Sequence, residues 1–106
     1  MSNGMDDRRK GFESKWAHDA ELRFQVEARR NRALGLWAAG LKGLSGPAAE
    51  ELVTGVINAD FEKPGDEDVF EKLRSELDAS VSDAVIRDKM RELLAAAVDA
   101  VMNDVK

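Results

Sequence analysis

Residues 12–41 read FESKWAHDAELRFQVEARRNRALGLWAAGL. The stretch holds both tryptophans and the sole histidine, and it contains no proline. Its run of good helix formers predicts one long helix or two collinear halves. Two apolar lines run along it. Steps of four give Phe12, Trp16, Ala20, Phe24 and Ala28. A second set, Leu22, Val26, Ala33, Leu36 and Trp37, falls on another side. At about 100° per residue the two lines lie roughly a quarter-turn apart. A helix docked on one core along its whole length has no need of both. The later half is therefore expected to pack on this protein, with the earlier half kept for something else.

Upstream, residues 1–11 form a charge cluster with little to bury. Asp6 could cap a helix beginning at Asp7, but Gly11 weakens such a turn by roughly 1 kcal/mol relative to alanine. Residues 1–18 are expected to be loose in the isolated protein. Asp19 has the side chain of an N-cap for the firm helix that follows to about Lys42.

Downstream, Gly43, Ser45, Gly46 and Pro47 break that helix, and Ser45 or Gly46 caps the next, with Pro47 in its first turn. The second helix carries Ala48, Leu52, Val53, Val56, Ile57 and Phe61 on one stripe and stops at Lys63-Pro64-Gly65. A third, shorter helix starts at Asp66, with Val69, Phe70, Leu73 and Leu77 on its buried side. Ser82 caps a fourth, about residues 83–104, whose stripe runs from Ile86 through Met90, Ala97 and Val98 to Val101 and Val105. No stretch alternates at period two, so no strand is predicted. Four amphipathic helices with short connections give an all-α fold, a four-helix bundle with a flexible N-terminal segment. Trp37 is the expected anchor between the first and fourth helices, with Gly35, Ala38, Ala39, Gly40 and Ala95–Ala97 letting those two approach.

The 106 residues suffice for one domain of ordinary size. Without cysteine there is neither disulfide nor thiolate metal site. No stretch approaches the ~20 apolar residues of a membrane span, and residues 1–11 lack the apolar centre of a signal peptide. The net charge of −5 is uneven. Residues 1–32 carry eight Lys/Arg against six Asp/Glu, and residues 33–106 carry eight against fifteen. The acidic remainder argues against nucleic acid as the partner. The mixed-sign N-terminal third suits a protein surface.

Little points to catalysis. His18 and Asp19 are sequence neighbours, about 100° apart on a helix, and do not form a dyad. The carboxylates show no Glu-x-x-His or calcium-loop spacing. Gly40-Leu-Lys-Gly-Leu-Ser-Gly46 is glycine-rich but lacks the phosphate-loop order, and no strand precedes it. With Lys42 and Gly43 in that loop and Arg29 and Arg30 nearby, a competing reading is a small adenine-nucleotide-binding regulatory domain. The bland alternative for those arginines is a solvated helix face. Phe12 and Trp16, large aromatics among Arg8, Arg9, Lys10, Glu13 and Lys15, have the make-up of a binding hot spot that turns helical in a partner's groove.

Phe12-Glu13, Lys15, Ala17-His18-Asp19, Glu21, Phe24, Ala28-Arg29-Arg30-Asn31 and Leu34-Gly35-Leu36-Trp37-Ala38-Ala39 resemble the ζ inhibitor subunit of alphaproteobacterial F1-ATPases. The resemblance is close over residues 6–45 and continues more loosely through Asp60-Phe61-Glu62 and Gly65–Val69. It implies a mobile inhibitory segment, 1–18, before a four-helix domain, 19–106. It further implies that the segment inserts at a catalytic α/β interface beside the γ subunit, becomes helical and blocks ATP-driven rotation. On that resemblance Asp6, Asp7, Arg8, Arg9, Lys10, Phe12, Glu13, Lys15, Trp16, His18 and Asp19 bind the partner, Phe12 and Trp16 by filling apolar pockets. The chain is then no enzyme and needs no cofactor, although relatives that bind adenine nucleotides weakly leave such binding open. The implied partners are the α, β and γ subunits of F1-ATPase. The protein is expected to be a cytoplasmic monomer, peripheral to the inner membrane through F1.

Overall fold

The computed structural model describes residues 11, 15, 16, 18–62 and 66–104, with residues 61 and 62 described by backbone alone. Four helices follow Asp19: α1 (Ala20–Leu41), α2 (Gly46–Glu62), α3 (Glu67–Glu76) and α4 (Asp83–Asp104). Among the described residues there is no strand.

The helix ends follow local chemistry. The Asp19 carboxylate accepts from the Leu22 N–H at 3.0 Å, the N-cap read from sequence, with Glu21 complementing the dipole in the first turn. At the other end Gly43 turns left-handed, φ +71°. The Gly43 N–H then reaches the Gly40 carbonyl at 3.2 Å and the Leu44 N–H the Ala39 carbonyl at 2.9 Å. This is a Schellman ending, completed by Leu44 packing on the core. Ser82 Oγ accepts from the Val85 N–H at 3.2 Å and caps α4. Between α3 and α4 the Arg74 guanidinium donates to the carbonyls of Leu77, Asp78 and Val81 and to Asp83, so one side chain pins the turn.

Cross-helix pairs set the directions. Arg30 meets Asp60, and Gly35 meets Val53, so α2 runs antiparallel to α1. Arg29 meets Asp104 while Lys89 lies over the Trp37 ring, so α4 also runs antiparallel to α1. Asp66 near Arg30 and Glu76 near Lys42 make α3 parallel to α1. The bundle is up-down-up-down.

Lengths then divide the core. α3, with 10 residues, rises about 15 Å, whereas α1 and α4, with 22 each, rise about 33 Å. One apolar cluster gathers all four helices, through Leu34, Ala38, Val56, Leu73 and Ile86 among others. The second, Leu22, Val26, Ala97, Val98 and Val101, is a seam between α1 and α4 alone. On α1 the buried residues Arg30 and Asn31 stand between the parts of the helix that serve the two clusters.

Three expectations for α1 are corrected. Its buried line is Leu22, Val26, Arg30, Leu34 and Ala38, neither of the two lines read from sequence. Leu36, on the line expected to pack, is 45% exposed; Phe24, on the other line, is 56% exposed. The close helix approach made by Gly35 is to α2, not α4: a Cβ on Gly35 would sit 2.7 Å from Val53 Cα. Gly40 approaches nothing, and a Cβ there would enter open space. Trp37 does face α4, half-buried beside the main cluster under Lys89.

Candidate functional site: Trp16 on the seam and a polar layer beside it

Among the described residues, α2 and α3 cover the main core but not the α1–α4 seam. Part of that cover comes from Trp16, which packs half-buried against the Leu22/Val26/Val98/Val101 cluster. Lys15, Trp16 and His18 are helical, and the Asp19 N–H closes the turn onto the Lys15 carbonyl at 3.0 Å. Lys15 and His18 face solvent. The expectation that Trp16 stands clear of the domain is thus corrected: an apolar seam that α2 and α3 do not cover attracts a nearby large aromatic ring. The seat is imperfect, because the Trp16 Nε1–H is buried and finds no acceptor among the described residues. Such a donor costs about 1–3 kcal/mol. Asp6, Asp7, Arg8, Arg9, Lys10, Phe12 and Glu13, the rest of the expected inhibitory set apart from the Asp19 cap, lie outside the described residues.

The residues suggested for a nucleotide are not brought together. Arg29 is exposed and pairs with Asp104 at 3.2 Å. Lys42, thirteen residues and about 20 Å further along α1, pairs with Glu76 at 2.6 Å. Gly43 is the helix-stopping glycine described above. Arg30 is no surface cation. It is 2% exposed, donates through Nη1 to Asp66 at 2.7 Å and through Nε to Asn31 at 3.0 Å, and has Nη2 3.8 Å from Asp60. A buried charge persists only when paired and hydrogen-bonded, and Arg30 has both. Asp66 meets this charge instead of capping α3: its side chain makes no cap bond there.

A cavity of about 90 Å³ opens next to this layer, between α1 and α2, lined by Phe24, Glu27, Ala28, Asn31, Ile57 and Asp60. Sequence reading passed over Glu27, Asn31 and Asp60 as site residues. The available signal was polar residues at the 30 and 31 positions of a helix whose neighbours at 26 and 34 are apolar. Burial holds the Glu27 carboxyl above the usual carboxylate range, the Asp60 carboxylate adds to it, and Arg30 and Arg23 act the other way. Among the described residues no group of three or more His, Cys, Asp or Glu could hold a metal ion, and no helix is long and apolar enough to cross a membrane.

Seam and polar layer together define a small all-α domain with Trp16 laid against the seam at one end. The chain belongs to the ATPase inhibitor subunit zeta family, whose model matches residues 1–100. It is a regulatory protein that acts on an ATPase. Comparison with curated proteins gives no match.

Proposed function

We propose that the protein inhibits ATP hydrolysis by F1-ATPase. Residues 1–18 act as a mobile inhibitory segment carried by the four-helix domain of residues 19–106, and residues 6–19 insert at a catalytic α/β interface beside the γ rotor. Wedging of this kind needs bulk and affinity, not a catalytic residue. Arg8, Arg9, Lys10, Glu13 and Lys15 set encounter rate and register. Phe12 and Trp16 fill apolar pockets.

The observation that carries this reading is the family match, which spans the N-terminal segment as well as the bundle. The half-buried seat of Trp16 supports it, since a partly covered ring gives up little apolar contact on leaving the seam. The partners are then the α, β and γ subunits of F1, and the protein sits at the membrane periphery only through them. Adding the full chain to purified F1 tests the proposal: ATP hydrolysis falls as the two co-elute on gel filtration. Unchanged hydrolysis at saturating protein contradicts it.

A further inference from the structure

We propose that Asp19 is a hinge: the bent chain stores Trp16 on the bundle, and straightening through Asp19 into one continuous helix presents the ring to the ATPase. The inference rests on the proposed inhibitory function, which supplies the partner, and adds how Trp16 is held back and released.

Lys15, Trp16 and His18 are helical, and α1 begins at Ala20. Between them Asp19 has φ −105° and ψ 111°, an extended conformation, so the two helical pieces are not collinear. The Asp19 N–H still closes onto the Lys15 carbonyl at 3.0 Å, and the Asp19 carbonyl accepts from the Arg23 N–H at 2.9 Å. The bend thus falls on one residue. Its carboxylate takes the Leu22 N–H, which in an unbroken helix bonds to the His18 carbonyl.

Trp16 needs that bend to reach its seat. Leu22 is the first residue of α1 in the seam cluster. On a straight helix position 16, six residues earlier, stands about 9 Å further along the axis and about 120° round it from Leu22. Helical side chains also lean toward the N-terminus, so the ring points further from Val98 and Val101. Among the described residues α4 continues beyond Val101 only to Asp104. Straightening at Asp19 therefore unseats Trp16.

The local sequence does not resist straightening, since residues 15–24 contain neither glycine nor proline. The bent form holds a cap bond and the contact of a half-buried ring. The straight form gains the backbone bonds of an unbroken turn. A ring seated on the seam cannot also fill a pocket in the ATPase. The bent form therefore lowers apparent affinity by the fraction of chains that are straight.

The test is inhibition of F1 hydrolysis by wild type, Asp19→Ala and Val101→Ala. The first variant removes the cap and places the best helix former at the bend. The second trims the seat from α4 and leaves the N-terminal residues untouched. Both are expected to inhibit at concentrations about threefold or more below wild type. Loss of a direct Asp19 contact with F1 would give the opposite sign. In parallel, fluorine NMR of protein labelled with 5-fluorotryptophan follows Trp16 and Trp37 separately. Asp19→Ala is expected to move the Trp16 signal to a solvent-exposed position and leave the Trp37 signal in place. Should Asp19→Ala fail to fold, Val101→Ala decides by both readouts. A folded variant that inhibits no better than wild type, or an unmoved Trp16 signal, overturns the hinge and leaves the inhibitory function intact. A wild-type protein that does not inhibit F1 removes both.

Discussion

Arg30 Nη1 stands 2.7 Å from Asp66 Oδ1, thirty-six residues away in sequence, and this pair fixes where α3 begins relative to α1. The guanidinium is almost wholly buried while Asp66 is exposed, so the bridge runs from the interior to the surface of the bundle. It completes a polar layer beside two apolar clusters. Such a layer contributes register more than net stability, because desolvating the charge offsets most of what the pairing returns.

Removing that charge is costly. Arg30→Ala leaves Asp60 and the Asn31 amide facing an empty space, and we expect a loss of about 3–5 kcal/mol, the range for breaking a buried ion pair. Arg30→Lys recovers only part, since one ammonium cannot reach Asn31, Asp60 and Asp66 in the fork geometry of a guanidinium. Urea unfolding of the three proteins measures both effects. A change under 1 kcal/mol for Arg30→Ala contradicts the burial of this charge.

Gly35 and Gly40 lie on the same helix and respond oppositely. A methyl group at 35 meets the Val53 backbone at 2.7 Å and pushes α1 from α2, so Gly35→Ala destabilises by about 1–3 kcal/mol. A methyl group at 40 meets nothing within 4 Å, and Gly40→Ala stabilises by up to about 1 kcal/mol through helix propensity. Thermal melting of the two variants gives shifts of opposite sign.

The seat of Trp16 predicts a further contrast. Trp16→Ala uncovers part of the seam and lowers stability by about 1 kcal/mol, a modest figure because the ring is only half-buried. Trp16→Phe keeps an aromatic face and removes a buried donor that has no acceptor among the described residues, so it melts at or above the wild-type temperature. Calorimetry on both variants checks the pair. A loss above about 3 kcal/mol for Trp16→Ala would put the indole fully in the core.

The carboxyls predict a pH dependence whose sign differs by group. Glu27, raised by burial and by Asp60, binds its proton more tightly folded than unfolded. Its contribution to stability is present below the unfolded pKa and is lost as pH rises through the folded one. Glu76, lowered by its hydrogen bonds from Lys42 and Lys72, contributes above the unfolded pKa and loses that contribution as pH falls through the folded one. Glu27→Gln therefore gains stability relative to wild type as pH is raised from about 4 to 7. Denaturant midpoints over that span measure the trend, and a constant difference refutes it.

α2, α3 and α4 were legible because their buried positions repeat locally. Leu52, Val53 and Val56 on α2, and Val69, Phe70, Leu73 and Leu77 around α3, recur at helical spacing and are buried. The caps at Asp19 and Ser82 were legible because one short side chain decides each. α1 was misread where tertiary structure overrode the local pattern. Arg30 and Asn31 occupy core positions, so the true buried line looks interrupted, and Leu34 at its centre was passed over. That Gly35 meets α2 and not α4 depends on which helix is its neighbour, which no periodicity encodes. The cavity beside Glu27 was hidden for the same reason, since its second carboxylate comes from Asp60 on another helix.

The central claim is that the N-terminal segment inhibits and the bundle carries it. The most direct measurement compares the full chain with a chain lacking residues 1–17, which retains the Asp19 cap, in titrations of F1 ATP hydrolysis. The account predicts that the truncated protein unfolds cooperatively, slightly below the full chain for want of Trp16, and leaves hydrolysis untouched where the full chain abolishes it. Equal inhibition by both would contradict the account and move the inhibitory surface onto the bundle.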